Sequence, residues 1–245
     1  MEIHYTYVSQ FLTCNKREQF RREGAIGPLG AALAYGTILH YGLALAFKRE
    51  PWRAPLQDAI TGLFSGQQVP GLREQDNWDG TISFTDKDAP VEIMRDWIPE
   101  AIELYLVRFP QRAEAIELTL SREIAPGIVL TGTIDKLVGG KLVDYKLANT
   151  RYKPDKMQGG CYAILSGGPT CTEFHIVRKE RAPSIDVVQC PEAEDQRYLD
   201  FLVNSVLVPA AEAMTLPRLP ANDSHIFCDP RWCKYWQHCV GRRFS

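Results

Sequence analysis

Alternating apolar and polar positions are clearest in the middle of the chain. Residues 115–124 and 128–137 are runs of branched residues separated by Pro126-Gly127, and a third run begins at Lys141 after Gly139-Gly140. Short branched runs parted by two glycines predict strands joined by a tight hairpin. Counting outward from Gly139-Gly140 sets Val138 against Lys141, Leu137 against Leu142, Lys136 against Val143 and Asp135 against Asp144. Two later runs, 172–178 and 185–189, predict further strands, with the charged Lys179-Glu180-Arg181 between them.

A helical period governs the flanks. Residues 10–22 read as a helix with Ser9 as its N-cap, 35–47 as a mostly apolar buried helix, and 54–65 as a shorter one. Ile93, Trp97, Ile98, Ile102, Tyr105 and Leu106 recur at helical spacing over 91–109, until Pro110 stops the element. Helices are also expected over 155–165 and 192–214, the latter broken or kinked at Pro209. The stretch 66–90, rich in Gly, Asp, Gln and Pro, reads as a loop or insertion, and 148–154 as a polar crossing. Strands interleaved with helices predict an α/β fold: a mixed central sheet with flanking helices. At 245 residues the expectation is one domain over 1–245. It divides into a mainly helical N-terminal part (1–110), a core (111–215) and a cysteine-rich tail (216–245).

Composition excludes more than it assigns. Apolar residues at 45% and charged residues at 24% suit an ordinary soluble protein, and a net charge of −2 removes any global field for nucleic acid. DNA binding then needs local patches. No stretch nears the ~20 apolar residues of a membrane span. Met1-Glu2-Ile3-His4 opens no basic-then-apolar leader, so the expected location is cytoplasmic. Seven cysteines, an odd number, favour metal ligation or free thiols over a disulfide framework.

The hairpin carries the first chemistry. Asp135 opposite Asp144 sets two carboxylates roughly 5 Å apart at their Cβ atoms, a destabilising pair unless a cation lies between them. Lys146, two residues beyond Asp144, projects from the same face. Two acids and a lysine are the parts of a hard-metal hydrolytic site, to which the Tyr145 carbonyl adds an oxygen. The bland reading is a surface hairpin with incidental charges. His40, on its apolar helix, is within the expected reach of the same ion, although a buried histidine is more often structural. Gln158 and Tyr162 are four apart and share a helix face. Glu123, near the end of its strand, is expected to approach Asp135.

The tail carries the second. Cys228, Cys233 and Cys239 fall within twelve residues, interleaved with aromatic and basic side chains. Three thiolates leave a tetrahedral site one ligand short. His238 abuts Cys239 and is poorly placed to share its ion, whereas Cys14 is a remote fourth that would staple the two ends of the chain. Cys161, Cys171 and Cys190 sit in apolar or strand-like contexts and read as packing residues. The spacing alone does not separate zinc from an iron–sulfur cluster.

Taken together, Gly36-x3-His40, Gly132-x2-Asp135, Asp144-x-Lys146 and Gln158-x3-Tyr162, flanked by Cys14 and by Cys228, Cys233 and Cys239, resemble the PD-(D/E)XK nucleases. The likeness is to the RecB-like type that carries a four-cysteine iron–sulfur cluster, and it spans nearly the whole chain. It implies a restriction-endonuclease-like core whose helical N-terminal part is stapled to the tail by the cluster. It implies Mg2+ or Mn2+ on His40, Asp135 and Asp144, catalysis by Lys146, and Gln158 and Tyr162 supporting the site or the strand. Glu123 matches a position where many relatives carry an acid. Cys14, Cys228, Cys233 and Cys239 would hold a [4Fe-4S] cluster, with zinc as the alternative. One departure is visible: four residues separate Cys228 from Cys233, where relatives usually have two.

The resemblance makes DNA, as single strands or duplex ends, the expected substrate of a deoxyribonuclease. Recombination, repair or CRISPR-adaptation proteins are its expected partners, in end resection or spacer trimming. A DNA-binding module with a degenerate site is the rival, which the intact Asp135, Asp144 and Lys146 oppose. A cluster joining the ends would gather Lys16, Arg17, Arg21 and Arg22 with Arg231, Lys234, Arg242 and Arg243 into a phosphate-binding patch. Arg17, Arg21, Lys234 and Arg242 are its leading DNA contacts, and Trp232, Tyr235 and Trp236 would stack on bases or pack around the cluster.

Overall fold

The computed structural model describes residues 1–67, 78–85, 88–148 and 153–216. Its centre is the Gly139-Gly140 hairpin, whose glycines both take positive φ (57° and 72°), as a two-residue turn matched to strand twist requires. The turn joins β5 (Ile128–Val138) to β6 (Lys141–Ala148), and the pairs Lys136↔Val143, Leu137↔Leu142 and Val138↔Lys141 are those counted from the sequence. Antiparallel β4 (Ala115–Ala125) pairs with β5. On the far side of β6 lies β7 (Thr172–Arg178), parallel to it, and then antiparallel β8 (Ser184–Gln189).

The sixth strand of this mixed sheet comes from the N-terminus: β1 (Glu2–His4) runs parallel to β5, with Glu2 opposite Val129. The first 110 residues are therefore not all helix and loop, and the 66–90 stretch is not all loop. β3 (Trp78–Ser83) pairs with β2 (Gly27–Gly30) in a separate two-stranded parallel sheet.

Alternation along the strands divides the core into two layers. Leu130, Ile134, Leu142, Phe174 and Ile176 pack with α1 (Tyr5–Thr13), α6 (Lys156–Ser166), α7 (Gln196–Leu202) and α8 (Val208–Met214). Val143, Tyr145, Val177 and Ile185 pack with α3 (Ala31–Phe47), α4 (Arg53–Phe64) and α5 (Val91–Arg108) on the opposite face. Neighbours such as Leu142 and Val143 thus enter different layers, as a period of two demands.

Two helices differ from expectation. The helix expected over 10–22 is two, α1 and α2 (Asn15–Arg22), parted at Cys14, whose backbone is extended (φ −158°, ψ 109°). Ser9 is not a cap. It lies inside α1, where its carbonyl accepts from Thr13 Oγ1 at 2.9 Å. Near the C-terminus, Pro209 does not end the helix. A π-helical turn (Val203–Leu207) lies between α7 and α8 and carries the chain past the missing proline N–H.

Candidate active site

Asp135 and Asp144 lie where the β5–β6 ladder stops. Pairing is recorded up to Lys136↔Val143, and the next amide of that side, Tyr145 N–H, turns to the Asp135 side chain, donating to Oδ2 at 2.7 Å. The opposed pair counted from the turn is therefore not a simple ladder pair: one of its carboxylates has taken over a backbone donor. Both side chains are buried, at 3% and 2% exposure.

His40 is brought in by α3. Its Nε2 lies 2.8 Å from the Tyr145 carbonyl and its Nδ1 lies 3.2 Å from Asp135 Oδ1. With Asp135 ionised both partners are acceptors, an arrangement that favours the imidazolium form of the ring. Burial pushes the imidazole pKa down, but the Asp135 charge and hydrogen bond, joined by Asp144, hold it above its ordinary value. For Asp135, burial pushes the carboxyl up, and the His40 charge and hydrogen bond, the Tyr145 amide and Lys146 outweigh it, leaving the pKa lowered.

Asp144 is oriented from α6. Its Oδ1 accepts from Gln158 Nε2 at 2.8 Å and from the Tyr162 hydroxyl at 2.7 Å, and Gln158 Nε2 also reaches the Tyr162 oxygen at 2.8 Å. Oδ2 accepts no aligned hydrogen bond and sits 2.7 Å from Lys146 Nζ. Burial raises the Asp144 pKa, and the Lys146 ammonium only partly opposes it. Each acid thus has one oxygen fixed by neutral donors and one facing a cationic side chain. That division orients a carboxylate before any ligand arrives.

One acid was not foreseen. Glu117 lies opposite Asp135 in register, between the pairs Ile116↔Lys136 and Leu118↔Ile134. One ligand atom each of His40, Glu117 and Asp135 lies within 4.8 Å of the others. Glu117 has φ 54°, the left-handed region that a non-glycine residue enters at a cost. Counting from Pro126-Gly127 would set Leu118 opposite Asp135, but an irregularity between Glu123 and Ala125 shifts the register by one residue. The sequence signals the turn, not the bulge behind it.

The same register corrects Glu123. It pairs with Val129, and its carboxylate accepts from Gly127 N at 2.9 Å. Six residues along β5 separate Val129 from Asp135, roughly 20 Å at the rise of an extended strand. Glu123 caps a turn and does not approach the site.

The second layer of support is small residues. A Cβ on Gly159 would lie 2.5 Å from Cys190 Sγ, and one on Gly160 would lie 2.7 Å from Leu202 Cδ2. These glycines let α6 seat closely, which fixes the face bearing Gln158 and Tyr162. Cys161 and Cys190 are buried, in keeping with packing roles, whereas Cys171 is half-buried.

Cys14 is half-buried at the α1–α2 joint. Of the basic residues on α2, Arg21 is bidentate to the buried Glu18 at 2.8 Å and lies over the Tyr7 ring. Arg22 donates to the carbonyls of Met214 and Leu216 at 2.8 and 3.3 Å. Arg21 and Arg22 therefore hold α2 in place, which takes part of their charge from the expected patch. Arg17 lies on the same helix. Cys228, Cys233, Cys239, Lys234 and Arg242 lie outside the described residues, as do the tail aromatics.

No protein-family model matches the chain, and no curated protein matches it. Among solved structures it is similar to a candidate exonuclease from Eubacterium rectale, with a TM-score of 0.44 and 14% identity. The match covers 63% of this chain and spans 64% of that one. At that score and identity the likeness carries no argument about activity. Among the described residues, no helix is long and apolar enough to cross a membrane.

Proposed function

We propose that the protein is a divalent-metal-dependent nuclease that hydrolyses phosphodiester bonds of DNA, working on single strands or duplex ends. The observation that carries this reading is the convergence of His40, Glu117 and Asp135 within 4.8 Å, beside a lysine paired to a second buried acid. Two carboxylates and an imidazole in a partly buried cluster fit a hard or borderline divalent ion, so the residues present suit the group.

His40, Glu117, Asp135 and the Asp144 Oδ2 oxygen, with the Tyr145 carbonyl, are the residues that would hold Mg2+ or Mn2+. When bound, such an ion supplies Lewis-acid polarisation of a phosphoryl oxygen and lowers the pKa of water. The chain's own residues do the rest. His40 loses a proton to serve as a ligand, because both its nitrogens are engaged as donors otherwise. Gln158 and Tyr162 hold Asp144 in one rotamer through Oδ1, keeping Oδ2 toward the site. Lys146, its side chain 24% exposed, orients the attacking water or offsets charge that develops on the phosphate.

In the same reading Cys14, Cys228, Cys233 and Cys239 hold a structural [4Fe-4S] cluster, with zinc the alternative. Arg22 supports it, since its bonds to Met214 and Leu216 bring α2, adjacent to Cys14, against the segment from which the tail departs.

Calorimetric titration of Mn2+ tests the site. Wild type is expected to bind one ion with proton release, and Asp135→Asn is expected to lose binding with an unchanged circular-dichroism spectrum. Equal binding by both proteins would remove the assignment.

A further inference from the structure

A side chain ahead of every motif residue is linked to Asp144 by a chain of hydrogen bonds. Tyr5, the first residue of α1, donates its hydroxyl hydrogen bond to Asp155 Oδ2. Asp155 is the N-cap of α6, and its other oxygen, Oδ1, accepts the Met157 amide at 2.9 Å. Capping fixes the first turn of a helix. The residue in that turn that matters here is Gln158, whose own amide bonds the Asp155 carbonyl at 3.1 Å and whose side chain holds Asp144 Oδ1. Tyr162 follows one turn later on the same face and holds the same oxygen.

Two anchors therefore set α6. On one side Gly159 and Gly160 seat it against Cys190, Leu202 and Tyr198. On the other, Tyr5 grips the cap. The glycines limit how far α6 stands from its neighbours, whereas the Tyr5 bond acts at its N-terminal end, one turn from Gln158.

We propose that Tyr5 is a positioning residue for Asp144, acting through the Asp155 cap and the Gln158–Tyr162 face of α6. The inference rests on the reading that Asp144 belongs to a metal-dependent site. It makes the N-terminal residue of α1 part of that site's support. Asp155 then has two separable duties, because a cap needs one acceptor oxygen and the Tyr5 bond needs the other.

Tyr5→Phe removes the donor. Asp155→Asn keeps a cap oxygen for Met157 but puts an amide group where Tyr5 needs an acceptor. The measurement is Mn2+ affinity by electron paramagnetic resonance of the free ion, on the full-length protein. Each variant is expected to weaken Mn2+ binding by about 3- to 10-fold, less than the 10- to 100-fold typical of groups that touch a ligand directly. Combined with Tyr162→Phe, either change is expected to weaken binding by less than the product of the separate effects, since both act on one carboxylate. A merely structural bond would lower the unfolding midpoint and leave Mn2+ affinity alone.

Wild-type affinity in both variants, or fully multiplicative effects with Tyr162→Phe, overturns the inference. If Tyr5→Phe does not fold, Asp155→Asn decides alone. Failure of the parent reading looks different: Asp144→Ala would then bind Mn2+ as well as wild type.

Discussion

Replacing Asp144 by asparagine is expected to abolish cleavage and to stabilise the protein in the absence of divalent ions. Asp144 is 2% exposed, and its Oδ2 takes no aligned hydrogen bond. Burial holds its carboxyl above the usual carboxylate range, so the ionised form is a net burden that the Lys146 ammonium offsets only in part. Asparagine keeps an oxygen for Gln158 and Tyr162 and removes the charge, while the Lys146 ammonium, its side chain 24% exposed, turns from the new amide to solvent. Removing a buried charge that its partners only partly offset is worth about 1–3 kcal/mol. For a chain of this size each kcal/mol moves the midpoint by about 2–4 °C, so a gain of a few to about 10 °C is expected.

The sign with pH is fixed by the direction of the shift. A carboxyl whose folded pKa is raised binds its proton more tightly in the native state, so wild type loses stability as pH climbs through that pKa. The variant has nothing to titrate there. Its advantage is therefore absent below the ordinary carboxyl pKa of about 4 and grows as pH rises through the raised native value. Thermal unfolding in chelator across that range is the assay. Saturating Mn2+ should reverse the order, since ligand at 100 times its dissociation constant adds about 2.7 kcal/mol to the protein that binds it. A variant less stable than wild type in chelator at the alkaline end of that range, or a gain that does not vary with pH, would overturn this expectation.

Further outcomes distinguish the remaining assignments. Glu117→Gln is expected to weaken Mn2+ binding by about 10-fold or more, whereas Glu123→Gln leaves it unchanged, which reverses the sequence expectation. Mn2+ affinity should rise with pH through the elevated His40 pKa, because the imidazolium must lose a proton to ligate; a flat profile in isothermal titrations would remove His40 from the ligand set. Protein purified without oxygen should be brown and contain iron. Cys14→Ala should lose that metal and stability together while Cys171→Ala keeps both, and a colourless zinc protein would select the alternative.

The Gly139-Gly140 turn was legible in the sequence because two positive φ values in a row leave few alternatives to glycine, and it fixed the β5–β6 register directly. Gln158 and Tyr162 were legible for a similar reason, since helical spacing alone puts them on one face. Glu117 was not, because its place depends on a one-residue bulge before Ala125 that no residue type announces. β1 was hidden by being three residues long, two of them polar, too short to show a period. Ser9 was a sound cap residue overruled by tertiary context: β1 and the start of α1 are tied to the sheet and to α6, so the helix starts earlier. Pro209 announced a disturbance in its helix, which takes the form of a π turn and not a break.

Asp135, Asp144 and Lys146, on the adjacent inner strands β5 and β6, are proposed to cleave phosphodiester bonds with a divalent ion. The most direct test is digestion of end-labelled single- and double-stranded DNA by wild type and Lys146→Ala, with Mn2+ and with chelator. Wild type is expected to cleave with Mn2+ and not with chelator, and Lys146→Ala is expected not to cleave although it still binds Mn2+. Equal digestion by the two proteins, or wild-type digestion that persists in chelator, would contradict the proposal.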